Sequence, residues 1–154
     1  ASNFYNSRAG GGEGHLEVGK NIYYHENKLA HMVLSIKPFG CMPSTQSDGV
    51  QSAIVNKYPD IIFLPLETSG EAAVNAYSRV QMALAEARVK ARAEFTDVLE
   101  QLRLNPLQAK EMALHKKPGQ GAMRAFSQTD GVCGTAAKWL LSTAASSGHS
   151  SHAG

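Results

Sequence analysis

Cysteine is almost absent from this chain. Only Cys41 and Cys133 occur in 154 residues, too few for a disulfide framework, and no signal-peptide pattern is visible; both features suit a reducing compartment, so the expected location is the cytoplasm. Long apolar runs are missing too: none approaches the ~18 residues of a membrane span. A charge imbalance is also lacking. The 15 basic and 13 acidic residues are interspersed and leave a formal charge of +2, so there is no basic stripe for a nucleic-acid backbone. No internal repeat appears. What is present is ordinary for a globular chain, with 43% hydrophobic and 18% charged residues. A chain of this size buries a core without disulfides or a structural metal.

Periodicity divides the chain. Residues 1–11 form an aperiodic, glycine-ended segment expected to be flexible, an opening that suits processing or excision from a longer polypeptide. Glu13 to Lys28 carries Leu16, Ile22 and Tyr23 at loosely helical spacing, weakened by Gly19. His31 to Ile36 is an apolar run that Lys37-Pro38 ends, the mark of a buried strand. A turn holding Cys41 follows. Pro43 then opens a helix with Val50, Ala53, Ile54 and Tyr58 at steps of three and four, closed by Pro59. Asp60 to Leu66 reads as a second strand. Strand, helix, strand makes a βαβ unit, whose right-handed crossover opens the loops after both strands on one edge of a parallel sheet. From Thr68 to Leu104, Ala73, Tyr77, Val80, Leu84, Ala87, Ala91, Phe95, Val98 and Leu102 predict one long amphipathic helix. Thr68 and Glu71 form its capping-box signature and Asn105-Pro106 its stop. Weaker helical pieces cover Leu107 to Lys117 and Cys133 to Ala145. The expected fold class is therefore α/β. A domain over 12–104 is followed by a helical extension over 105–145 and a small, polar tail over 146–154, expected to be disordered.

Most candidate motifs reduce to structure. Gly14-His15-Leu16-Glu17-Val18-Gly19-Lys20-Asn21 has phosphate-loop spacing, but Asn21 replaces the magnesium-binding hydroxyl and no strand precedes it, which favours a helix start with packing glycines. The pairs His25 and His31, or His149 and His152, lack partners at ligand spacing and read as solvated histidines. Cys133 opens an apolar helical piece, where a thiol behaves as a small hydrophobe. Cys41 differs. It occupies a loop bounded by Pro38, Gly40 and Pro43 at the carboxyl end of a strand and before a helix, where open α/β sheets place ligands and a helix N-terminus favours a thiolate. Ser47 stands where a phosphatase nucleophile would have its arginine, which leaves a buried structural thiol or, as the sharper alternative, a metal or cluster ligand.

The motifs Gly12-Glu13-Gly14, Val18-Gly19 and Pro38-Phe39-Gly40-Cys41-Met42-Pro43, with Gly70-Glu71-Ala72, Asn75 and Arg79, resemble the last domain of the 2-hydroxyacyl-CoA dehydratase family. The similarity is greatest to the C-terminal region of large activase-related proteins and covers about residues 12–88. It implies a Rossmann-like parallel-sheet domain in which Cys41 is one ligand of a [4Fe-4S] cluster shared with other domains or chains. It implies a lyase acting on acyl-CoA, with an ATP-dependent activase as electron donor and the remainder of a larger polypeptide or a partner subunit supplying the other ligands. By the same resemblance, Phe39, Gly40, Glu67 and Ser69 would line the substrate crevice. One cysteine cannot hold a cluster by itself, so the chain alone is not expected to be active. The rival expectation is a non-catalytic interaction or regulatory domain in which Cys41 is structural.

Overall fold

A computed structural model describes residues 3–6, 8, 12–68, 73–115 and 131–146. The chain forms two compact units, residues 1–88 and 89–154.

In the first unit the order is α1 (Gly14–Glu26), β1 (Val33–Pro38), α2 (Met42–Lys57), β2 (Phe63–Thr68) and the first part of α3 (Ala73–Gln101). The two strands pair in parallel from Val33 opposite Phe63 to Pro38 opposite Thr68. The expected βαβ unit is therefore present, and the described residues contain a two-stranded parallel sheet. Side chains alternate across it. Ser35 and Lys37 point to α1 and α2, where they bond Glu17 and Asp48, while Leu34 and Ile36 face the other way. Val18 and Ile22 of α1 meet Ile54 of α2 and Ile61 in the buried core, flanked by Phe4, Tyr5, Val50, Val55 and Tyr58. Gly12 holds the entry to α1 at φ +80°, where a β-carbon would lie 2.3 Å from the Pro43 ring.

β1 begins and ends two residues later than expected, β2 begins three residues later and ends two later, and both contain proline. In a parallel ladder a residue directs its N–H and C=O to the same side. The Val33 N–H donates to the Ile62 carbonyl at 2.8 Å, so Val33, Ser35 and Lys37 face β2, and Leu34, Ile36 and Pro38 face outward. By the same register Phe63, Pro65 and Glu67 face outward from β2. Each proline sits where the ladder asks for no N–H, so Pro65 lies inside β2 and Pro38 is still paired as the last residue of β1.

The long helix begins later than expected. Thr68 is the last residue of β2, and its Oγ1 donates to the Lys37 carbonyl at 3.1 Å, so strand pairing overrides the capping-box reading. Glu71 lies outside the described residues. Within the stripe expected to be buried, Ala87 is buried but Tyr77 is 67% exposed.

The second unit comprises the rest of α3, α4 (Pro106–Leu114) and α5 (Thr135–Ser146). Its core is Val98, Leu99, Ala109, Ala137 and Leu140, with Phe95, Leu102, Leu104, Val132, Trp139 and Leu141 against it. Asn105 does more than stop α3. Its side chain accepts from the Gln108 N–H at 2.8 Å while the Gln108 side chain accepts from the Asn105 N–H at 2.8 Å, a capping box that starts α4.

Candidate thiolate site at the carboxyl edge of the sheet

Cys41 takes its position from the turn that precedes it. Gly40 has φ +73°, a backbone that glycine adopts without strain, and the Cys41 N–H closes the turn onto the Pro38 carbonyl at 3.3 Å. The chain then enters α2 with Cys41 as its N-cap and proline in the first turn. The Cys41 carbonyl accepts from the Thr45 N–H at 2.9 Å and the Thr45 hydroxyl at 3.0 Å. Backbone bonding is thereby complete, and the side chain projects at the positive end of the helix dipole.

The thiol is half-buried and reduced. Hydrogen bonds from the Ser44 side chain and backbone hold its pKa below the usual thiol value against the opposing effect of partial burial, while the Lys37 ammonium lowers it by less than burial raises it and the Glu17 carboxylate works the other way. Lys37 is only 2% exposed. It forms an ion pair with Asp48, and its Nζ lies 3.5 Å from the Ser44 carbonyl. Glu17 accepts from the Ser35 hydroxyl at 2.6 Å and the Ser47 hydroxyl at 2.7 Å, which ties α1, β1 and α2 together beneath the thiol. The result is a thiolate-favouring turn beside the ion pair of the buried Lys37 with Asp48, with no proton-accepting base at hydrogen-bond distance of Cys41 among the described residues.

The expected companions of Cys41 are partly assembled. Phe39 is 74% exposed and Met42 is also exposed, so apolar surface flanks the thiol on both sides. A β-carbon at Gly40 would meet nothing within 4 Å, leaving the approach to the turn open. Glu67 is exposed on the neighbouring strand, in register with Lys37 at the same sheet edge. Ser69 lies outside the described residues. Spacing did not reveal Lys37, Ser44, Glu17, Ser47 or Asp48. Ser44 carried a local signal, a hydroxyl three residues after a helix-capping cysteine; the others meet only through the fold.

Cys133 has the opposite environment. Glu94 accepts from its N–H at 2.5 Å and from the Gly134 N–H at 2.9 Å, and the thiol lies 3.7 Å from the same carboxylate. Burial and this negative charge push its pKa up to about 11. The phosphate-loop spacing of Gly14 to Asn21 falls entirely within α1, and Asn21 is buried, so the segment forms no loop. His149 and His152 lie outside the described residues.

Compared with known proteins, the chain matches no family profile, no curated protein and no solved structure.

Proposed function

We propose that this chain is a dehydratase-like or activase-related component whose Rossmann-like α/β unit contributes Cys41 to an iron–sulfur site shared with other domains or chains. The observation that carries the reading is the environment of Cys41: a half-exposed thiol at a helix N-terminus, shifted toward thiolate by Ser44 and Lys37, on the sheet edge where α/β proteins bind ligands. Thiolate is the form that binds iron–sulfur clusters.

The residues present fit one ligand of such a group. Cys41 supplies a single soft donor, and Cys133 is held in its thiol form by Glu94, so the remaining cluster ligands come from outside this set of residues. The cluster, when bound, supplies single-electron reduction of a thioester carbonyl. The chain's own contribution is positional. The Gly40 turn fixes the sulfur, Lys37 and Ser44 stabilise its negative charge, and exposed Phe39 and Met42 offer apolar surface to an acyl group. Glu67 adds a polar group at the same edge, and Ser69 follows it in sequence.

The exposure of Phe39 and Met42 also supports the rival, a non-catalytic interaction domain in which these side chains meet a protein partner. Iron analysis separates the two. The chain, isolated without oxygen from its native cell with whatever it assembles with, is expected to carry iron. Cys41→Ser should remove most of that iron and leave the melting temperature nearly unchanged, while Cys133→Ser should leave the iron unaltered. Wild-type material without iron, or iron unchanged in Cys41→Ser, would sink the cluster reading and favour the rival.

A further inference from the structure

We propose that the outer edge of β1 is a docking site for one extended segment of another polypeptide, which adds to the sheet as a third strand. The inference is independent of the reading of Cys41.

The two edges of the sheet are built differently. At the outer edge of β2, Pro65 offers no N–H, and its carbonyl is taken by the Arg79 guanidinium at 3.0 Å. Proline and an edge-facing charged group are devices that prevent strand addition. At the outer edge of β1, the N–H and C=O groups of Leu34 and Ile36 point away from β2, and no hydrogen bond reaches them among the described residues. Pro38, the next outward residue, ends the open stretch, and its carbonyl accepts from Cys41. The open edge therefore presents two complete backbone donor–acceptor sets, the complement of a short strand.

Side chains mark the same edge. Leu34 is 39% and Ile36 66% exposed, whereas their partners across the ladder, Leu64 and Leu66, are buried. The apolar face of the sheet is thus covered over β2 and bare over β1. The opposite face has spare cover. Helix α1 lies on β1 through Glu17 and Ser35 and beside α2. Two helices side by side span about 20 Å, against about 5 Å between two strands, so the helical layer is wide enough to roof another strand.

The same geometry decides the occupant. A second copy pairing its β1 with this one would set the strands ~4.8 Å apart on a common sheet. Both α1 helices would then need the same ~10 Å on one face. A single strand without a helix of its own does not meet that obstacle. Its residues facing Leu34 and Ile36 should be apolar, and those beneath α1 small or polar, beside the Glu17–Ser35 hydrogen bond.

The test uses the full chain and an acetylated seven-residue peptide of alternating threonine and valine. Amide hydrogen exchange, read residue by residue, is expected to slow at least about tenfold at Leu34 and Ile36 when millimolar peptide is added, with Ser35 unchanged because its N–H already faces β2. The same peptide N-methylated on alternate amides should give no slowing. Ile36→Pro, which removes an outward N–H only, should abolish the effect, and Ile36→Val should retain it. Equal slowing with the N-methylated peptide would show apolar adsorption and overturn the proposal, as would no slowing with either peptide. Protection of Leu34 and Ile36 that rises with chain concentration in the absence of peptide would assign the edge to a second copy. Should Ile36→Pro fail to fold, the comparison of the two peptides on the unaltered chain decides.

Discussion

Two cysteines with opposite surroundings give the chain an internal comparison. Ser44 and Lys37 lower the pKa of Cys41, while burial and Glu94 raise that of Cys133 to about 11. Because the thiolate is the nucleophile, Cys41 should be alkylated by iodoacetamide at least about tenfold faster than Cys133 at neutral pH. Ser44→Ala should move the pH profile of Cys41 upward. Peptide mapping of partly alkylated protein checks both, and equal rates at the two sites would contradict the assigned environments. Stability follows from Cys133 in the other direction. Its raised pKa favours the neutral thiol in the folded chain, so the contribution is whole below 9.0 and is lost as pH rises from there to about 11. Cys133→Ser should flatten that part of the stability curve. Cys41 was legible in the sequence because proline and glycine around it signal a fixed turn. Its charge environment was not, because Lys37 reads as the end of an apolar run and becomes a buried cation only when α2 brings Asp48 over it.

Between elements, the contact of α1 with α2 contains a polar pair. The Asn21 amide donates to the Gln51 side-chain oxygen at 2.7 Å with both residues buried, and Asn21 Oδ1 and Gln51 Nε2 have no hydrogen-bond partner among the described residues. Removing one member leaves the other wholly unsatisfied, whereas removing both deletes the problem. Gln51→Leu alone should therefore cost about 1–3 kcal/mol, and the double variant with Asn21→Leu should recover much of it in urea denaturation. A double variant destabilised by the sum of the singles or more would show that the unsatisfied partner is not the source of the cost. Element types were readable from apolar spacing, but their ends were not. Thr68 was assigned to a helix because a cap and a strand end use the same hydroxyl residue, and only the neighbouring Lys37 carbonyl decides between them. Asn105 was read as a stop when its side chain also begins α4.

At the scale of the molecule, the described residues hold two hydrophobic clusters, one around Val18, Ile22, Ile54 and Ile61 and the other around Val98, Leu99, Ala109, Ala137 and Leu140. Helix α3 carries residues of both units. The sheet of the first unit has one open and one blocked edge, and that inequality has a meaning in polymer chemistry. A monomer with a single reactive end has a functionality of one: it terminates a growing chain and cannot propagate it. Pro65 and the Arg79 guanidinium give this protein that character, so strand capture at β1 stops after one addition. Pro65→Val combined with Arg79→Ala restores a second reactive end, and the threonine–valine peptide should then slow amide exchange at Phe63 as well as at Leu34 and Ile36.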